Sequence, residues 1–216
     1  MLEKIGEFFD NRLEIYEEHQ MNCIESAREF YKFTAECLPK DPDCSIIDLG
    51  CGTGLELDEF FVLNPSARVT GIDLAPGMLK KLQDKFYDKD VNLILGSYFD
   101  VPFGIDNFNA AVSVESLHHF TMDEKVPLYS KLWESLKLGG YYILTDYFAS
   151  SNEEEVHCRE ELIRLKKEQG INNDEFYHYD TPLTVEHEMK CLKSAGFSSV
   201  KVLNEWGSTC TIKAIK

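Results

Sequence analysis

Apolar residues open the chain at helical spacing: Leu2, Ile5, Phe9, Leu13 and Tyr16 share one face. Ile24, Ala27, Tyr31, Ala35 and Leu38 form a second stripe. The pattern predicts two helices, the second ended by Pro39 and Pro42. From residue 45 the rhythm changes. Short apolar runs at Ser45–Leu49, Arg68–Asp73, Val91–Leu95, Ala110–Val114 and Tyr141–Tyr147 read as strands. Helical patterns alternate with them at Leu55–Leu63, Met78–Phe86 and from Thr121 to Leu136. Asn64-Pro65 closes the first of these. Thr121 and Glu124 have the spacing of a capping box, while Pro127 predicts a later start or a bend. Gly139-Gly140 is expected to close that helix.

Residues 148–183 interrupt the alternation. Ser151 and Glu154 are placed to cap a charged helix over about 152–168, and a loop of Gly, Asn, Asp and Tyr follows. Thr184–Ala195 reads as a helix ended by Gly196, and Val200–Asn204 and Thr209–Ile215 as two antiparallel strands. The fold class expected is α/β: a doubly wound, mostly parallel seven-stranded sheet with an antiparallel C-terminal strand and helices on both faces. Residues 1–44 would form an N-terminal helical cap. A ligand crevice would then lie at the carboxyl ends of the strands, where the strand order reverses.

Composition narrows the function. A chain of 216 residues can bury one sizeable core. Its formal net charge of −16 repels phosphate backbones, so no nucleic-acid partner is expected. The densest positive cluster, Arg164, Lys166 and Lys167, sits among Glu160, Glu161 and Glu168 as a solvated face. No apolar run is long enough to span a bilayer, and the first residues lack a signal-peptide pattern. Neither a membrane nor export is expected, which places the chain in the cytoplasm. Seven cysteines with no CxxC pair argue for reduced, mostly buried thiols and against a disulfide framework. No metal site is expected.

The strongest motif is Asp48-Leu49-Gly50-Cys51-Gly52-Thr53-Gly54, directly after a strand and before a helix. Glycines there let the backbone approach a ligand closely. The spacing is GxGxG, with Leu55 where a dinucleotide fingerprint has its last glycine. Asp48 would repel a pyrophosphate but suits a cation. S-adenosylmethionine carries an ammonium and a sulfonium and no phosphate. Asp73 ends the second strand, where an acid can accept from both ribose hydroxyls; the plainer reading is a helix cap. Leu74 and Met78 follow, Met78 placed either against adenine or in the core.

These residues resemble class I S-adenosylmethionine-dependent methyltransferases of the small-molecule type. So do Gly96–Phe103, Phe108–Ser113 and Leu136–Gly140. The resemblance makes 45–216 a Rossmann-like cofactor domain with an acceptor-lid insertion at about 148–183. It implies that Ser97, Tyr98 and Phe99 hold adenine, that Glu115 belongs to the cofactor site, and that the N-terminal segment closes over it. Tyr16 would then cover the methionine portion and Arg12 would meet its carboxylate, unless both simply belong to an amphipathic helix. The family often has Asp where Ser97 stands and favours Asp where Asn109 stands.

The acceptor side is read from topology. Glu115, His118 and His119 follow the fourth strand, Asp146 and Tyr147 end the fifth, and His178-Tyr179-Asp180 lies in the insertion. His119, Tyr147 and His178 are expected to face the transferable methyl group, with His119 as base where the acceptor must lose a proton. Phe176, Tyr177 and Tyr179 would wall an apolar pocket or pack the loop down. His157 and His187 fall on helices as surface residues. The reading is a methyltransferase acting on an unidentified small molecule, with a homodimer among the options. The alternatives are a carboxy-S-adenosylmethionine synthase-like enzyme, for which Arg12 and Arg159 are the evident cations, and a non-catalytic S-adenosylmethionine-binding protein. A nicotinamide dehydrogenase is disfavoured by Asp48 and the GxGxG spacing.

Overall fold

The computed structural model describes residues 1–172 and 175–216, so part of the loop expected after the charged helix lies outside the described residues. Seven strands form one sheet: β1 (Ser45–Leu49), β2 (Arg68–Asp73), β3 (Asp90–Leu95), β4 (Phe108–Val114), β5 (Leu136–Tyr147), β6 (Ser199–Trp206) and β7 (Thr209–Ile215). Their order is β3-β2-β1-β4-β5-β7-β6. Only β7 runs antiparallel to its neighbours. The order reverses between β1 and β4, and the crevice opens there.

Side chains alternate across a strand, so Ile46 and Ile47 of β1 enter different cores. One face packs on α3 (Ala27–Cys37), α4 (Leu55–Leu63) and α5 (Pro76–Lys85) through Phe30, Phe60 and Leu82. The other packs on α6 (Met122–Ser135) and α8 (Val185–Ser194) through Leu128, Leu132 and Leu192. Between β5 and α8 runs α7 (Asn152–Glu168), which carries the insertion. No helix among the described residues is long and apolar enough to cross a membrane. The seven cysteines are free thiols, four of them buried.

Three local expectations change. The N-terminal region holds three helices rather than two: α1 (Ile5–Asp10), α2 (Leu13–Cys23) and α3. The first stripe breaks at Arg12, and Ser26 adopts a left-handed φ of 58° between α2 and α3. Gly139-Gly140 does not close α6, which ends at Ser135; the glycines lie inside β5. There the β4–β5 register jumps from Phe108↔Leu136 to Ala110↔Tyr141. A Cβ on Gly140 would stand 2.8 Å from Lys137 O, so the bulge needs glycine. Ser151 caps α7 through Glu154 N, but the Glu154 carboxylate accepts from Ser150 rather than closing a box. His187 is part-exposed, as a surface residue, and its Nδ1 lies 2.8 Å from Glu155 and ties α8 to α7.

Candidate active site

The glycine turn hangs from β2. Gly50 N and Cys51 N both donate to Ile72 O, at 2.8 and 3.2 Å. Gly50 has φ 76°, and a Cβ there would stand 2.0 Å from Ser116 Oγ. Only glycine suits that conformation and that space. Cys51 is buried behind the turn against Gly71, and Gly54 opens α4 in a left-handed conformation. Asp73 Oδ2 accepts from Gly52 N at 2.9 Å and Oδ1 from Ala75 N at 2.8 Å. One carboxylate thus fixes the turn and the start of α5. Each oxygen keeps a lone pair for a further donor.

A small chamber of about 50 Å³ lies over this turn, lined by Gly50, Gly52, Asp73, Leu74, Met78 and Tyr98. Ile5, Phe9 and Tyr16 close it from the N-terminal side. Ser97 and Phe99 do not line it. Ser97 Oγ accepts from Phe99 N within its own turn, and Phe99 packs on Phe120 and Phe176. Arg12 is held by Glu3, at 2.9 Å, and lies over the Phe8 ring. Behind the turn Asp48, Thr53 and Glu56 are buried, and neither Asp48 oxygen nor Thr53 Oγ1 has a hydrogen-bond partner. Burial and the Glu56 charge push the Asp48 carboxyl well above its usual range, and burial lifts Glu56 to about 7.

A larger chamber of about 580 Å³ adjoins it, and Phe9, Tyr16, Glu115 and His119 line both. His119, Tyr147 and His178 all line this larger space. His178 stacks on Phe8 with ring centres 3.5 Å apart, and 4.9 Å separate it from His119. The Tyr147 hydroxyl donates to Glu154 at 3.3 Å. Glu115 takes a left-handed φ of 48°, unusual for a residue with a side chain. Burial and the nearby Asp146 raise its carboxyl to about 7. Burial and neighbouring His118 lower the His119 pKa, and burial first of all lowers His178 to about 4. Both rings are neutral near pH 7. Acidic and aromatic side chains line the cavity, and Trp206 and Thr209 of the last hairpin are among its lining.

Residues 46–140 match the family of methyltransferase domains. The matched stretch is a little under half of the chain, and over it the chain is similar to a methyltransferase domain. Its relatives include the biotin biosynthesis bifunctional protein BioHC of Teredinibacter turnerae, 27% identical over 170 residues. That match takes 74% of this chain but only 28% of the relative, so the chain spans under a third of that protein's length. The carboxy-S-adenosyl-L-methionine synthase of Helicobacter hepaticus is 25% identical over 224 residues, covering 99% of this chain and 92% of the relative. Human N-acetylserotonin methyltransferase shares the fold, with a TM-score of 0.62 and 20% identity over 88% of this chain and 52% of its own.

The glycine turn and the residues beneath it fit S-adenosylmethionine by their own chemistry. Two buried carboxyls with unpartnered oxygens stand beneath a glycine turn, where a cation is welcome and a phosphate is not. Asp73 offers acceptors to a ribose. One contributor had no clear signal in the sequence: Ser116, which fills the space beside Gly50. Ile5 and Phe9 belong to the N-terminal apolar stripe, and they line the chamber as that segment was expected to. Glu56 did leave a trace, as an acid inside the apolar run Leu55, Leu57, Phe60, Phe61.

Proposed function

We propose that the chain transfers a methyl group from S-adenosylmethionine to a small-molecule acceptor held in the larger chamber. The observation that carries this is the junction of the two chambers at Phe9, Tyr16, Glu115 and His119. A cofactor on the glycine turn and an acceptor beyond it would meet there. When bound, S-adenosylmethionine supplies a methyl group already activated by the sulfonium. The protein's part is orientation and exclusion of water. Asp73 holds the ribose, Gly52 brings the backbone close, and Leu74, Met78 and Tyr98 wall the adenine. Tyr16 covers the methionine end, with Asp48 and Glu56 beneath for its positive charge. Tyr147, His119 and His178 wall the acceptor, and His119, neutral near pH 7, takes a proton where the acceptor loses one.

Calorimetry tests the cofactor half. S-adenosylmethionine or its demethylated product binds, and NAD does not. Asp73→Ala weakens that binding by about 1.5–3 kcal/mol, the value of hydrogen bonds to a charged group. Unchanged affinity in a folded variant would reduce Asp73 to a cap. For the acceptor half, hydroxyl, amine and thiol compounds are screened by release of the demethylated cofactor. With the best of them, Tyr147→Ala, which touches only the larger chamber, lowers kcat roughly ten- to hundredfold and leaves cofactor affinity unchanged. Equal kcat in the variant would remove Tyr147 from the wall.

The long match to a carboxy-S-adenosyl-L-methionine synthase favours a second reading, in which a carboxylated cofactor is formed and kept. Such an adduct needs a cation near the sulfonium. Arg12 lines the larger chamber but pairs with Glu3, and Arg159 is exposed on α7. Mass spectrometry of the nucleoside released from purified protein separates the two: a mass increased by a carboxyl group would favour the synthase.

A further inference from the structure

His118, His119 and Asp180 bring three metal-ligating side chains to one wall of the larger chamber. Asp180 Oδ1 lies 3.5 Å from His118 Nε2 and 3.2 Å from His119 Nδ1. Donor atoms sharing one ion at roughly 2.1 Å stand about 3.0 Å apart in an octahedron and about 3.4 Å apart in a tetrahedron. The spacing between Asp180 and each histidine is therefore near what an ion requires. Behind the cluster, His118 Nδ1 donates to Asp146 Oδ1 at 2.6 Å, and Leu117 N fixes the other Asp146 oxygen at 2.8 Å. A carboxylate behind a histidine orients the ring and leaves the far nitrogen for the ion. Both histidines are buried, whereas the Asp180 side chain is about half exposed at 53%, which gives an ion a walled seat and a way in from solvent.

We propose that His118, His119 and Asp180 bind a divalent transition-metal ion, the class that two imidazoles and one carboxylate select. The ion takes the place of the proton between His118 Nε2 and Asp180. His119 Nδ1, now 3.2 Å from Tyr179 O, passes its proton to Nε2. Three ligands on one wall leave coordination positions toward the cavity, where an acceptor with an oxygen or nitrogen donor would attach. An ion so placed lowers the pKa of a bound hydroxyl. That last consequence rests on the methyl-transfer reading; ion binding itself does not.

The test uses the full chain stripped with chelator and titrated with Co²⁺, read by visible absorption and metal analysis. The expected result is about one equivalent bound, with ligand-field bands and no thiolate charge-transfer band. Asp180→Ala and His118→Gln each weaken binding by at least about tenfold. Asp180→Ala keeps a cooperative unfolding transition and the parent's affinity for the demethylated cofactor, which separates a lost ion site from a lost fold. No uptake of Co²⁺, Zn²⁺ or Mn²⁺ at neutral pH overturns the proposal. So does uptake that both variants leave unchanged, and so does a thiolate band, which would seat the ion on cysteines. Failure of cofactor binding in the parent would count against the proposed function and leave the ion result standing.

Discussion

Glu188→Ala is expected to lower the free energy of unfolding by about 3–5 kcal/mol, the cost of leaving a buried charge without its partner. Lys125 of α6 and Glu188 of α8 are 2% and 0% exposed and meet at 2.5 Å. The Tyr129 hydroxyl donates to the other Glu188 oxygen, so the carboxylate satisfies two donors from one helix. Truncation strands an ammonium and a phenol in the core that joins α6 to α8. Replacing the pair by Lys125→Met with Glu188→Leu removes the charges together and is expected to recover most of the loss. Denaturant unfolding measures both. A loss under about 1 kcal/mol in the single variant would show that water reaches the ammonium.

Stability should also fall as pH rises through the carboxylate range, because of Glu56. Its carboxyl stands at about 7 in the fold against 4.5 for a free side chain. Between those values the folded state holds a proton the unfolded chain has released, so unfolding is favoured as pH increases. The stabilising protonated state is complete below about pH 4.5 and its advantage is lost by about pH 7, a change of about 3 kcal/mol. Asp48 acts in the same direction. Glu56→Gln removes Glu56's share, so urea unfolding at about pH 5 and about pH 8 should show a smaller difference in the variant than in the parent. The demethylated cofactor still carries an ammonium, and it should stabilise the parent more at the higher pH. Identical pH slopes in parent and variant would mean that Glu56 is paired or solvated.

The parts of the fold read from sequence were those with a local period. The limits of β1, β2, α4 and β7 coincide with the apolar runs that suggested them. The glycine turn was legible because its spacing, the strand before it and the acid two residues ahead are all local. What failed was set by tertiary demand. The break at Arg12 has no proline or glycine to announce it; α1 turns there because Ile5 and Phe9 pack over the crevice. Gly139-Gly140 looked like a helix stop but serves a bulge whose partner strand lies some thirty residues earlier. Ser97 faces its own turn, which a family motif cannot reveal. The meeting of His118 with Asp146 and Asp180 joins three segments distant in sequence, and no spacing encodes it.

The N-terminal segment is sewn to the insertion. Ile5 N donates to Phe176 O, His178 N donates to Glu3 O, and Lys4 pairs with Glu175 at 2.6 Å. From that seam α1 sends Ile5 and Phe9 into the smaller chamber and Phe8 and Phe9 into the larger. Any movement of α1 would therefore change the shape of both chambers at once. Were a ligand in one chamber to shift α1, it would change affinity in the other by a factor that must be returned in full when the order of binding is reversed.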